Sequence, residues 1–151
     1  GLTERLGDAA YRERADALDD GLRAAVVECG GHAVEGVTLG DGILALFGSA
    51  RRAIECASEV HAAAAMLGLE LHVGLHAGDV TWSGSRVFGG AVNIAARVCD
   101  AAPPAQTLVS DTVRSLARTS SGVTFVDHGL HDLKGIPDAH QLFAVTSSVP
   151  D

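Results

Sequence analysis

Apolar residues at Leu18, Leu22, Ala25, Val26 and Cys29 recur at helical spacing and predict a helix over residues 8–29, stopped by Gly30 and Gly31. Residues 32–39 alternate loosely, with Val34 and Val37 apolar, and residues 43–47 form a short apolar run. Gly40, Asp41 and Gly42 lie between them as a turn signal, so the two segments predict a β-hairpin. Ser49 is placed to cap a second helix running to about Leu67, with Ala53, Ile54, Ala57, Val60 and Ala64 as its buried face and Gly68 as its stop. Residues 69–80 read as a strand, because Leu69, Leu71, Val73 and Leu75 alternate with Glu70, His72 and Gly74. Residues 81–86 read as a turn before another short element. A helix follows over residues 91–101, broken by Pro103 and Pro104. Residues 107–110 predict a strand, and residues 111–117 a short helix capped by Asp111. Residues 123–127 and 141–146 predict the last two strands, around a loop holding Lys134, Gly135, Ile136 and Pro137. With no internal repeat or linker, residues 1–151 read as one domain. The mixture of strands and helices predicts an α+β fold whose helices pack mainly on one face of a sheet.

Composition narrows the class. A chain of 151 residues removes roughly two-thirds of its unfolded surface from water, enough for a real core. Aromatics are only 4% of the residues, so that core must be built from Ala, Val, Leu and Ile. The net charge of −8 argues against a nonspecific nucleic-acid binder, which needs a basic face. It leaves a nucleotide substrate open, because a phosphate pocket needs only a few cations or a metal. The three cysteines, Cys29, Cys56 and Cys99, form no CxxC pair and read as reduced, buried thiols of a cytoplasmic domain. No apolar run approaches the roughly 20 residues of a membrane helix, and no signal peptide is visible. The chain opens at Gly1-Leu2-Thr3-Glu4 without a methionine, which reads as a fragment or a processed form. The seven histidines show no pair at metal-ligand spacing and read as surface or satisfied core residues.

Four side chains could carry chemistry. Asp41 sits at the hairpin tip between two glycines, where a carboxylate could bind a hard cation such as Mg²⁺ or Mn²⁺. An Asp-Gly turn is also common for purely structural reasons. Asn93 and Arg97 are four residues apart and share a helix face. Arg can stabilise phosphate charge and Asn can donate to a ribose or phosphate oxygen. Local hydrogen bonding along the helix is the competing explanation. Lys134, in its Gly-Pro loop, could serve as a point charge for a terminal phosphate, or be an ordinary solvated lysine.

Taken in order, these segments resemble a known family. The runs are Thr38-Leu39-Gly40-Asp41-Gly42, Val73-Gly74-Leu75-His76-Ala77-Gly78-Asp79-Val80, Phe88-Gly89-Gly90-Ala91-Val92-Asn93-Ile94-Ala95-Ala96-Arg97 and Leu133-Lys134-Gly135-Ile136-Pro137. Together they resemble the class III adenylyl/guanylyl cyclase catalytic domain, above all its bacterial, actinobacterial-type branch. The resemblance implies a ferredoxin-like α+β core and a homodimer with active sites at the subunit interface. It implies two ions, Mg²⁺ or Mn²⁺, and attack of the ribose 3′-hydroxyl on the α-phosphate of a nucleoside triphosphate, with ATP the expected substrate and GTP the open alternative. On this resemblance Asp41 is a metal aspartate, Asn93 orients the ribose, Arg97 stabilises the pentavalent phosphate and Lys134 holds the triphosphate. Regulatory domains elsewhere in a full-length protein are compatible with it.

Three departures temper that expectation. The family's first metal aspartate lies on an opening strand that would precede Gly1, so the chain reads as lacking it. Val37 stands where adenylyl cyclases carry a base-reading lysine, and Arg86 where they carry an aspartate. Val37 cannot hydrogen-bond a base, and Arg86 offers only donors. The competing expectation is therefore a weak or inactive cyclase-homology module that binds a nucleotide or regulates a partner.

Overall fold

A computed structural model describes residues 2–34, 42–83, 86–120 and 122–148. The first helix, α1 (Leu2–Glu28), begins earlier than the apolar spacing suggests. Its end follows from two glycines. Gly30 takes φ 81°, and the amides of Gly30 and Gly31 bond back to the carbonyls of Val27 and Val26 at 3.0 and 2.8 Å. That closes the helix with a left-handed residue that glycine adopts without strain.

The hairpin forms as expected from β1 (His32–Ala33) and β2 (Ala45–Leu46), which pair antiparallel with His32 opposite Leu46. Its tip, including Val37 and Asp41, lies outside the described residues. Helix α2 (Ala50–Met66) is capped by Ser49, whose side chain accepts from the Arg52 amide at 3.3 Å. Its buried residues are Ile54, Cys56, Ala57, Val60 and Ala64. Cys56 joins the expected face while Ala53 is only partly covered. Val26, Cys56 and Val60 pack α1 onto α2 beneath the hairpin.

The strand expected over residues 69–80 shrinks to β3 (Val73–Leu75). Its partner, β6 (Thr107–Ser110), is only four residues long, so the parallel ladder runs from Val73 opposite Thr107 to Leu75 opposite Val109 and stops. Before it, the Leu71 carbonyl is taken by the Ala105 amide at 2.6 Å. Residues 81–86, read as a turn, instead build a second hairpin from β4 (Thr81–Ser83) and β5 (Arg86–Phe88). Thr81 and Trp82, opposite Phe88 and Val87, are the residue types that strands favour.

Helix α3 (Gly90–Ala101) precedes β6, and α4 (Asp111–Ala117) follows it. Ser110, not Asp111, occupies the N-cap of α4. Its hydroxyl makes no cap bond because it is engaged by His76 Nδ1 at 2.8 Å and Thr112 Oγ1 at 3.2 Å. The final strands, β7 (Val123–His131) and β8 (His140–Ser148), extend further than their apolar cores. The central sheet has the order β3-β6-β8-β7. Alternation along the strands sends Leu108, Leu142 and Ala144 toward α3, where they meet Val98, Ala102 and Leu133. It sends Val109, Phe143 and Val145 the other way, onto Ile54 of α2 and Val113 and Ala117 of α4. The result is the expected α+β fold, with α2 and α4 on one face and α3 on the other.

Candidate nucleotide site

The position of α3 is set by two glycines. At Gly74 in β3, an added Cβ would lie 2.1 Å from the Cys99 amide nitrogen and 2.5 Å from its Cα. Helix backbone therefore rests directly on strand backbone. At Gly89, φ 141° and a would-be Cβ contact of 2.9 Å to the Asp79 carbonyl fix the entry to the helix. With Ile94, Val98 and Ala101 turned to the sheet, Asn93 and Arg97 fall beside that stripe on one exposed flank, a single turn apart.

The loop between β7 and β8 is tied to the same helix. Leu133 is buried against Val98, and Ile136 packs on the same cluster. The Ile136 amide closes the turn on the Leu133 carbonyl at 3.0 Å, and Gly135 takes φ 78°. Lys134, held between those two anchors, is thereby delivered next to Arg97. Both line a cleft of about 290 Å³ together with Asp100, Ala101, Asp132 and Leu133. Asn93 does not line the cleft but shares the helix flank that leads into it.

Arg97 Nη1 is 3.3 Å from Asp100 Oδ2, with the two side chains 42% and 63% exposed. An exposed pair of this kind contributes at most about 1 kcal/mol. A phosphate entering the cleft can displace Asp100 from the guanidinium at little cost. Asp100 and Asp132 are the residues that sequence reasoning missed. The i,i+3 spacing of Arg97 and Asp100 was the available signal.

The other expected residues fall differently. Val37 and Asp41 lie outside the described residues, and of Arg86 only the backbone, in β5, is described. All three cysteines are free, but only Cys56 is buried and Cys29 and Cys99 are half-buried, because Cys29 closes α1 at the rim of its cluster and Cys99 faces the strand edge at His72. Burial, reinforced by the Glu59 carboxylate, which accepts the thiol hydrogen bond at 3.3 Å, pushes the Cys29 thiol up to about 12. Burial also raises Cys56 and Cys99. His61 and His76 are lowered by burial, and each is satisfied by a hydroxyl at 2.8 Å, Thr107 for His61 and Ser110 for His76.

A second depression, of about 490 Å³, lies across α4, β7 and β8. Arg114 and Arg118 rim it, and the Arg114 guanidinium sits 4.8 Å above the Phe143 ring. It lies on the opposite face of the sheet from Arg97 and Lys134.

No family model matches the chain. A Rhizobium meliloti protein named "Putative adenylate cyclase 3" is 36% identical over 105 residues, covering 64% of this chain and 18% of that protein. The chain thus spans under a fifth of that relative's length. A solved adenylate/guanylate cyclase/hydrolase from Silicibacter pomeroyi superposes with a TM-score of 0.79 at 26% identity, over 100% of this chain and 91% of that one. In sequence and in fold the chain is similar to class III adenylyl/guanylyl cyclase domains. The cyclase fold extends to the catalytic core of a rhodopsin-guanylyl cyclase with converted specificity, solved with ATPαS, at TM-score 0.76 and 20% identity over 87% of this chain and 79% of that one. The ferredoxin-like core expected of the cyclase domain is therefore present. Among the described residues, no helix is long and apolar enough to cross a membrane.

Proposed function

We propose that this cyclase-type domain is a catalytic one, converting ATP to 3′,5′-cyclic AMP and pyrophosphate as a homodimer in the cytoplasm. The observation that carries the reading is the convergence of Arg97 and Lys134 on one cleft, a helical turn from Asn93. A triphosphate needs cations that reach two phosphates at once, and these two come from elements locked together by Leu133 and Val98.

In this reading Lys134 takes the terminal phosphates as a point charge, and Arg97 leaves Asp100 to donate to the α-phosphate as its charge rises in the transition state. Asn93 donates to the ribose and aims the 3′-hydroxyl for in-line attack, with pyrophosphate leaving from the opposite side. Asn93 and Arg97 lie on an exposed flank and would serve a nucleotide shared with a second subunit, as the resemblance implies.

Mg²⁺ or Mn²⁺ rests on the resemblance alone. Asp41, the proposed ligand, lies outside the described residues, and among those described no three His, Cys or carboxylate side chains converge. When bound, such ions supply charge neutralisation and activation of the attacking hydroxyl. A regulatory, nucleotide-binding module is the second reading, motivated by Val37 and Arg86 in place of the base-reading pair. Measuring cyclic nucleotide from ATP and from GTP with Mn²⁺ separates the readings. Product that disappears in Arg97→Ala supports catalysis. A folded dimer that binds ATP without turnover supports the module.

A further inference from the structure

The depression across α4, β7 and β8 has a plain origin in element lengths. Helix α4 has seven residues, about 10 Å of rise. Strands β7 and β8 have nine residues each, about 30 Å. The strands outrun the helix, so Val123, Phe125 and Phe143 are left partly covered on the face that α4 packs against. Those three side chains line a cavity of about 490 Å³, inside the roughly 300–1,000 Å³ range of small-molecule pockets.

Its charged wall comes from the helix. Arg114 and Arg118 are four residues apart, and Arg118 keeps helical geometry at φ −63° and ψ −22°, so both project from one side of α4. The Arg114 guanidinium lies 4.8 Å from the centroid of the Phe143 ring, a cation–π contact that holds one of its faces and leaves its N–H edge free. Asp111 Oδ1 is 3.8 Å from Arg114 Nη1, too far for a hydrogen bond. Among the described residues neither guanidinium donates a hydrogen bond. Thr124 adds a hydroxyl to the same cavity, paired with Thr146 Oγ1 at 2.7 Å. Asp127 also lines it, but its Oδ1 already accepts from the Gly129 amide at 2.7 Å and from Gln141 Nε2, which takes up part of its charge.

Two guanidinium forks side by side suit one kind of anion. A single fork fills both oxygens of a carboxylate, whereas the three terminal oxygens of a phosphate monoester reach two forks at once. Two arginines on a chain of net charge −8 do not make the continuous basic face that a nucleic acid needs. We propose that this depression binds a phosphate monoester with an aromatic body. The phosphate sits on Arg114 and Arg118, and the ring lies on Phe125 and Phe143. The site is on the opposite sheet face from Arg97 and Lys134 and stands whether or not the domain is a cyclase.

The test is an NMR titration of the chain with phenyl phosphate, run beside inorganic phosphate and phenol. Phenyl phosphate shifts the amide signals of residues 114, 118, 124 and 143 and saturates at millimolar concentration or below. Each half of the probe alone binds more weakly, because it forgoes either the guanidinium bonds or the aromatic contact. Arg118→Gln weakens binding about tenfold or more, the worth of a lost charged hydrogen bond, while Arg97→Gln, on the other face, leaves it unchanged. Circular dichroism checks that each variant is folded, and the shifts in the unsubstituted protein owe nothing to a folding defect. Absence of saturable shifts would overturn the assignment. So would shifts centred on residues 97 and 134, binding that survives Arg118→Gln, or equal affinity for inorganic phosphate, which marks an adventitious ion only.

Discussion

Replacing Gly74 by alanine tests how α3 is held. The new Cβ would sit 2.1 Å from the Cys99 nitrogen, 2.5 Å from its Cα and 2.7 Å from the Val98 carbonyl carbon. All three are backbone atoms, so no rotamer change relieves the clash. Contact distances near 3.5 Å are restored only if α3 retreats from the sheet by roughly 1 Å or more. A gap of that size forfeits about a quarter to a half of the dispersion energy of each opened contact, and it opens between Val98 and the buried Leu108, Leu133 and Leu142. Overpacking ordinarily costs about 1–3 kcal/mol, and a backbone clash belongs at the upper end. For a chain of this size about 3 kcal/mol corresponds to a Tm lowered by roughly 6–12 °C. The same retreat moves Arg97 away from Lys134, so nucleotide turnover falls more steeply than stability alone accounts for. Gly90→Ala is the control, because nothing lies within 4 Å of its would-be Cβ. Thermal and urea unfolding of the two variants decides the matter. If Gly74→Ala unfolds within about 0.5 kcal/mol of the parent, α3 does not rest on β3 as described.

Three further outcomes follow from the same geometry. Arg97→Ala, at an exposed pair, changes stability by less than about 0.5 kcal/mol but lowers kcat about 10²–10³-fold, while Lys134→Ala acts mainly on KM; steady-state kinetics on the two variants separates the roles. His61 and His76 have folded pKa values lowered by burial, so the unfolded chain binds more protons in acid. Their contribution to stability is complete above about pH 6.5, the ordinary histidine value, and is lost as pH falls through the lowered folded values. Urea midpoints between pH 8 and 5 fall accordingly, and His61→Gln flattens the slope. Ser49→Ala removes the 3.3 Å cap on the Arg52 amide and costs about 1 kcal/mol, a Tm drop of roughly 2–4 °C read by calorimetry.

Much of the fold was legible because its signals are local. Gly30 and Gly68 end α1 and α2, Ser49 starts α2, and the apolar spacing of residues 54, 57, 60 and 64 marks its buried face. What the alternation of residues 69–80 could not reveal was the length of β3. That length is set by β6, whose last residue turns into a helix. Asp111 resembled a cap in isolation, but the neighbouring Ser110 occupies that position and bonds His76, 34 residues away in sequence. The site was legible in part for the same reason. Asn93 and Arg97 share a flank by helical spacing alone. The meeting of Arg97 with Lys134 depends on Leu133 and Ile136 packing against α3, a long-range event with no local pattern.

The most direct test of the central claim is cyclic nucleotide production from ATP and from GTP with Mn²⁺. It is run on this chain and on its Arg97→Ala variant. Cyclic AMP from ATP, abolished by Arg97→Ala in protein that remains folded, is the predicted result. Undiminished product in the variant, or none from any form that is folded and dimeric, would contradict the account.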